Sequence, residues 1–559
     1  MPYRAPVAEL RFVLDHVVGF DRVAATETFA EATPETVDAI LTEAGRMCTD
    51  VLAPLNREGD LHPAHLENGV VRTSPGFGDG FRAIADGGWI GMSADPEHGG
   101  MGLPITLTMA VNEMIGSGCL ALQLNPLMTQ GQIEALEAHA SPALQDLYIP
   151  KLISGEWCGT MNLTEPQAGS DVGALRTKAE DNGDGTYAIT GQKIYISWGD
   201  SDFAENICHL VLARLPDGAP GTRGISLFMV PKRLPDEAGN PGVANTLKVV
   251  SLEHKLGLHG SPTAVMQYDG ATGWLVGEPH KGMAAMFTMM NNARLGVGVQ
   301  GLSVAEAAMQ HAVAYALDRK QGKTALGDAG TGSILDHADV RRMALDMKVD
   351  VFAARSIAMD CAVALDMAKA TGDAAWQARG AFLTPIAKAF GTDTGIKVAN
   401  DGVQMHGGMG FVEETGAAQY LRDVRVTAIY EGTNGIQAMD LVGRKLMDGG
   451  AAAFAILDDL SGTNHEGLDA AIAALRDLTE WLVAQDMQDR FAGAVPYLAA
   501  FARVLGAAYH LRAAEADTSR APVARVATAR LLPEAMAEMA KARSGAEALY
   551  AVSSDVIAA

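Results

Sequence analysis

The sequence predicts a mostly α-helical protein with a central β domain, a helical domain before it, and a helical bundle plus a further helical extension after it. Three observations carry this prediction. Apolar residues recur at helical spacing over 35–52 and 106–137, and again in long runs beyond Lys281. Between about 157 and 280 the pattern shortens to runs such as TYAITGQKIYIS, HLVLARL, GISLFMVP and AVMQYDG, bounded by turn residues, which read as strands. No G-x-G-x-x-G opens a strand-to-helix turn, and the helical runs are too long for alternating βαβ units, so a Rossmann sheet is excluded.

In order, residues 1–156 form the N-terminal helical domain. Its first clear helix, over 35–52, follows the breaker Pro34, and a second apolar series over 106–137 is expected to break near Asn125-Pro126. The polar, glycine-rich stretch 68–80 reads as a surface loop, and His98, in the turn-rich segment 94–104, as a loop histidine. Residues 157–280 read as a compact antiparallel β domain. Residues 281–447 carry runs over 283–318, 334–370, 374–405 and 417–447, each matching one or two long amphipathic helices of a bundle. Residues 448–559 open on a linker and continue as an Ala-rich region with room for about four helices and no chemical constellation.

Composition narrows the function classes. The 559 residues can bury a large core in several domains. A net charge of −24 without any Lys/Arg run argues against nucleic acid. Five scattered cysteines without C-x-x-C spacing read as free thiols in a reducing compartment and offer no metal site. The N-terminal stretch lacks the layout of a signal peptide, and no apolar run is read as approaching membrane-spanning length. The expectation is a cytoplasmic protein without membrane insertion.

Four stretches carry chemistry. IYEGTNGIQ, 429–437, sets a carboxylate, Glu431, before Gly432 and two good cap residues, Thr433 and Asn434, where a loop enters a helix. A carboxylate fixed there beside a cavity is a proton acceptor. MNLTEPQAGSDVG, 161–173, gathers Thr164 and Ser170 into a turn at the entrance to the β domain. Tyr195 and Ser197 alternate along one face of a strand, suited to a flat ring. DRKQGK, 318–323, and QMHGGMGF, 404–411, supply cations, amides and approachable glycine backbone for a pyrophosphate.

In this order the motifs resemble those of the acyl-CoA dehydrogenase family over about 94–447. LTEPQAGSD resembles the first family signature, with Asn162 where a small residue is more usual. QMHGGMGFVEETGAAQYLRD resembles the second, departing at Gly416 and Gln419, where Pro and a basic residue are common. IYEGTNGIQ resembles the segment bearing the catalytic glutamate, with Gly435 where many members have Gln. Some branches place the base just before Arg294, but that position is Ala293 and 289–294 holds no carboxylate.

The resemblance implies an acyl-CoA dehydrogenase-like fold, FAD as cofactor and Glu431 as the catalytic base. It implies that Leu163, Thr164, Tyr195, Ser197, Arg319, Gln321, Gln404, Gly407, Gly408 and Thr433 bind FAD, and that Ser170, Asn291 and Arg294 contact substrate. It further implies an enolate stabilised by the Glu431 N–H and an FAD ribityl hydroxyl, electron-transferring flavoprotein as acceptor, and a homodimer whose subunits complete each other's cofactor site. The N-terminal segment and the C-terminal addition resemble a bacterial subgroup that converts 3-methylmercaptopropionyl-CoA to methylthioacryloyl-CoA in dimethylsulfoniopropionate demethylation. General short-, medium- or long-chain dehydrogenases and acyl-CoA oxidases share the architecture. So does a DNA-associated flavoprotein, for which a basic C-terminal domain would be expected.

Overall fold

The computed structural model describes residues 3–559, the side chains of Asn291 and Asn292 excepted, and the chain forms two units. One runs from Glu43 to Ala293; the other takes the residues up to Thr42 and from Arg294 to Ala559.

Within the first unit, the alternating stretches fold into a seven-stranded sheet. Its strands are β1 (Trp157–Asn162), β2 (Lys178–Asp181), β3 (Tyr187–Ser197), β4 (Asn206–Arg214), β5 (Ile225–Pro231), β6 (Leu247–Leu252) and β7 (Thr263–Val276). The spatial order is β6-β7-β3-β2-β4-β1, and β5 pairs with both β7 and β4, closing a ring. Closure leaves edges only at β6 and β1, which each have one neighbour. The sheet is mixed rather than antiparallel: β1 runs parallel to β4, and Lys178 of β2 meets Arg214 of β4 in a parallel pair. The core between the strands includes Ile189, Val211, Phe228, Val230 and Met266, all fully buried.

Two expectations for 43–156 are corrected. The stretch read as a loop over 68–80 contains the hairpin His65–Glu67 with Val70–Arg72, followed by the helix Phe77–Asp86. Asn68 and Gly69 both take left-handed φ, 51° and 79°, as a two-residue hairpin turn requires, and the turn lets Val71 bury completely. The helical span Ile105–His139 breaks at Cys119 (φ −154°, ψ 92°), ahead of the expected Asn125-Pro126. That span touches β1 and β4 closely. The Gly159 N–H donates to Thr129 Oγ1 at 3.0 Å and Gln132 Nε2 to the Cys208 carbonyl at 3.1 Å. A Cβ at Gly159 would lie 1.9 Å from Gln132 Oε1, so a side chain here would displace the Gln132 amide.

The second unit is a helical bundle. The helix ending at Asp318 (Gly282–Asp318) packs against Ala374–His406, with Ala338–Thr371 alongside. The crossing is built from glycine. A Cβ on Gly298 would sit 2.5 Å from the Ala387 carbonyl oxygen, and one on Gly301 2.4 Å from that of Gly391. Backbone therefore meets backbone at that point. The run 417–447, expected as one or two long helices, holds two short ones, Ala417–Val424 and Asn434–Asp440, with the loop bearing Glu431 between them. Four C-terminal helices, Ala451–Leu460, Glu466–Ala484, Met487–Ala516 and Ala521–Ala542, complete the unit, with two short ones beyond. Arg379 ties them to the bundle, reaching Asp360 at 2.8 Å and Asp459 at 2.6 Å, while the Tyr509 hydroxyl donates to Asp360 at 2.6 Å.

Ile105–His139 and Met487–Ala516 are long and apolar enough by length and composition to cross a membrane, contrary to the reading of the sequence. Their apolar windows are 94% and 67% buried inside the protein, and a helix apolar all round is what a buried position demands.

Candidate active site

Glu431 sits at φ +55°, in the left-handed region, followed by Gly432 at +82°. Glycine accepts this conformation freely; a glutamate does so only when its surroundings enforce it. The enforcement is visible on both sides of the turn. Gln437 Nε2 donates to the Glu431 carbonyl at 3.1 Å. Lys388 Nζ donates to the Gly432 carbonyl at 3.0 Å and to Asn434 Oδ1 at 2.9 Å. Thr433 is the N-cap of Asn434–Asp440, its hydroxyl accepting from the Ile436 N–H at 3.3 Å. Asn434 is not the cap: its amide donates to Thr392 Oγ1 at 2.9 Å and to Asp393 Oδ1 at 2.7 Å.

The electrostatics of this turn are distinctive. Burial raises the Glu431 carboxyl to about 7, against the opposing pull of Arg294 and Lys388. Arg294 is 8% exposed, its guanidinium 3.7 Å from Asp440, and its Nε is buried without a hydrogen-bond partner among the described residues. Gln437 Oε1 is likewise buried and unpartnered. Arg294 lies four positions before Gly298, and Lys388 three before Gly391, so the glycine crossing brings both cations to this loop. Asn291 falls on the same helix, and its side chain lies outside the described residues.

The first unit holds the second group of candidates. The Thr164 carbonyl accepts from the Ile194 N–H at 2.9 Å, and the Leu163 carbonyl from Lys193 Nζ at 3.0 Å, so the 163–177 loop is stitched to β3. Glu165 is the knot. Its Oε1 accepts from Lys193 Nζ at 2.9 Å, from the Thr177 hydroxyl at 2.6 Å and from the Thr177 N–H at 3.0 Å; Oε2 accepts from the Arg176 N–H at 2.7 Å. Burial would raise this carboxyl, but Lys193 and these donors hold it down at about 2.

Tyr195 does not lie in a regular ladder. Met266 pairs with Lys193 and Ala264 with Ile196, so Ile194 and Tyr195 together face Val265 in a bulge, with Tyr195 at φ +61°. The bulge leaves Tyr195 61% exposed, with Ser197 half-buried beyond the buried Ile196. An exposed tyrosine next to two small hydroxyl-bearing residues is the surface a flat polar ligand would cover. Ser170 is exposed on the same loop.

The remaining candidates gather at the far ends of the two crossing helices. Tyr315 stacks on His406 at 4.4 Å between centroids, so those C-terminal ends coincide. Arg319 and Gln321 follow one end; Gln404, Gly407 and Gly408 mark the other, and all five are exposed. A Cβ at Gly407 or Gly408 would meet nothing within 4 Å, leaving backbone open to a ligand.

Sequence reasoning did not single out Lys388, Lys193, Glu165 or Gln437. A lysine inside the apolar run AFLTPIAKAF, with glycine three positions on, was the available signal for the first.

Comparison with known proteins places these features in context. Family models match residues 34–156 (acyl-CoA dehydrogenase, N-terminal domain), 160–271 (middle domain), 280–447 (C-terminal domain) and 452–553 (acetyl-CoA dehydrogenase C-terminal like). The chain is 45% identical over 519 residues to 3-methylmercaptopropionyl-CoA dehydrogenase of Ruegeria pomeroyi, covering 89% of this chain and 88% of that protein. It is 34% identical over 501 residues to a broad-specificity linear acyl-CoA dehydrogenase of Mycobacterium tuberculosis, covering 86% and 80%. The solved structure of Caenorhabditis elegans ACDH-11 matches its fold with a TM-score of 0.78 at 21% identity, over 94% of this chain and 90% of that one.

Proposed function

The chain belongs to the acyl-CoA dehydrogenase family, and from that premise we propose that Glu431 is the base that removes the α-proton as an acyl-CoA thioester is oxidised to a trans-2-enoyl-CoA. The observation that carries this reading is the geometry of Glu431: a half-buried residue whose carboxyl is raised to about 7 by burial, locked in a left-handed turn beside Arg294. Family members are FAD-dependent, so the chain is a flavoprotein oxidoreductase. The residues present suit that group. Leu163, Thr164, Tyr195 and Ser197 would hold the flavin ring, and Arg319, Gln321, Gln404, Gly407 and Gly408 the pyrophosphate and adenosine. The Thr433 hydroxyl accepts at its cap and keeps its own proton to donate to the cofactor. FAD, when bound, supplies the acceptor for the electron pair of the β-C–H bond.

The chain's own part is the proton. A thioester α-proton is too weakly acidic for a carboxylate in water, and desolvation of Glu431 narrows the gap. Its carbonyl is held by Gln437, which leaves the carboxylate as the free end of the residue. The unpartnered Arg294 Nε and Gln437 Oε1 mark polar positions that a bound thioester or pantetheine would satisfy. Ser170 and Asn291 complete the proposed substrate contacts.

For the acyl group, the leading reading is 3-methylmercaptopropionyl-CoA, with methylthioacryloyl-CoA as product, in dimethylsulfoniopropionate demethylation. It is supported by 45% identity that spans almost the whole of both chains. The relative acting on linear acyl-CoAs favours a second reading, a dehydrogenase of straight-chain substrates. A turnover panel with a dye acceptor decides: the first reading expects kcat/KM for the thioether substrate at least about tenfold above butyryl-CoA or octanoyl-CoA, a difference of about 1.4 kcal/mol, and equal rates reject it. We further propose a cytoplasmic homodimer reoxidised by electron-transferring flavoprotein. Fast reoxidation of the reduced enzyme by air would instead make it an oxidase.

The raised carboxyl has two consequences with opposite signs. Activity needs the unprotonated base, so kcat/KM is expected to climb as pH rises through about 7. Stability runs the other way. A folded-state value above the unfolded one gives a contribution fully present below the unfolded value of about 4.5 and lost as pH rises through about 7. Thermal melts should therefore show Glu431→Gln gaining on the wild type at pH 8 and not at pH 4.5. A constant gap across that range would remove the case for a desolvated carboxyl.

A further inference from the structure

We propose that Lys388 is a positioning residue for this reaction: its buried ammonium ties the Gly432 carbonyl and the Asn434 side chain to the Ala374–His406 helix, and so holds the left-handed turn that aims Glu431. The inference rests on Glu431 being the base and goes beyond it by naming what orients that base.

Lys388 is fully buried, an expensive place for an ammonium. Its two oxygen partners are the Gly432 carbonyl at 3.0 Å and Asn434 Oδ1 at 2.9 Å, on either side of Thr433; neither is a carboxylate. The loop is thereby gripped at two points immediately after Glu431. Asn434 relays the grip, because its amide is fixed in turn by Thr392 and Asp393 on the helix that carries Lys388. A small cavity of about 130 Å³, lined by Asp393, Asn434, Val495 and Arg503 among others, adjoins Asn434, while Lys388 itself is buried.

A neutral donor would satisfy the same two oxygens. The positive charge adds something a neutral group lacks: it acts on Glu431. The charged and titratable groups around that carboxyl are Arg294 and Lys388 from the two crossing helices and the adjacent Tyr430, with Asp440 and Arg444 around Arg294 and Asp393 near Lys388. Burial lowers Lys388 to about 8, with Glu431 and Asp393 opposing, so it is mostly cationic at neutral pH.

The experiment is a carbon-13 titration of the Glu431 carboxyl in FAD-loaded wild type, Lys388→Met and Asn434→Ala, together with steady-state kinetics. Lys388→Met is expected to move the carboxyl midpoint up by about one pH unit and to lower kcat by roughly 10²-fold. Asn434→Ala keeps the charge and loosens the loop; it should lower kcat about tenfold with the midpoint unmoved. An unmoved midpoint in Lys388→Met overturns the proposal. Should that variant fail to fold, Asn434→Ala decides, and wild-type kcat there overturns it equally. The carbon-13 midpoint needs no turnover, so a failure here is distinct from a failure of the substrate panel, which tests the acyl-CoA reading itself.

Discussion

Glu431→Gln is expected to bind FAD like the wild type and to lose roughly 10⁴-fold in kcat/KM. The amide has the shape of the carboxylate and cannot accept the α-proton. What holds the turn is not the carboxylate: Gln437 bonds the Glu431 backbone carbonyl, Lys388 the Gly432 carbonyl, and Thr433 caps the next helix. The variant should therefore fold as the wild type does and keep a yellow colour. The decisive measurement is anaerobic mixing with substrate acyl-CoA, where wild-type flavin bleaches and the variant's does not. Residual bleaching at the wild-type rate would move the base elsewhere. Asp440, the buried carboxylate one helical stretch on, is a poor substitute, since Arg444 already engages it at 2.5 Å and Arg294 lies at 3.7 Å.

The distribution of these features explains what the sequence disclosed. Short apolar runs bounded by turn residues mark strands buried on both faces, which is why β4 and β5 are recognisable from HLVLARL and GISLFMVP. Pairing direction leaves no such trace, so the parallel β1–β4 ladder departs from the antiparallel domain that the sequence predicts. The Asn68-Gly69 hairpin was legible, since that dipeptide supplies two left-handed residues, but the polarity of its surroundings masked it. At Glu431 the sequence marks only the adjacent glycine as free to turn, whereas the glutamate is left-handed as well; only tertiary contacts fix that conformation, and no local rule announces it. Lys388 was hidden for a related reason. A lysine on a long helix ordinarily reaches solvent, and its burial follows from Gly298, Gly301 and Gly391 letting two helices meet backbone to backbone.

The largest stability effect is expected at Lys193. Its ammonium and the Glu165 carboxylate pair at 2.9 Å with side chains 0% and 3% exposed. Removing one partner strands the other charge away from water, which costs about 3–5 kcal/mol. Lys193→Met should thus lower the unfolding temperature by on the order of 10 °C. The loss should fall on the cofactor too, because Lys193 also holds the Leu163 carbonyl and Glu165 organises the loop through Thr177 and Arg176. The wild-type pair has its own pH signature: with Glu165 held at about 2, its contribution is present above the unfolded carboxyl value and lost as pH falls through about 2. The discriminating measurement is the double variant Lys193→Met/Glu165→Gln. If the cost of Lys193→Met comes from the stranded carboxylate, neutralising that carboxylate should return a good part of the lost stability, although the Leu163 tether and FAD affinity stay impaired. Additive losses in the double variant would instead mean that the two residues act through separate contacts, and that the pair does not by itself hold the 163–177 loop in place.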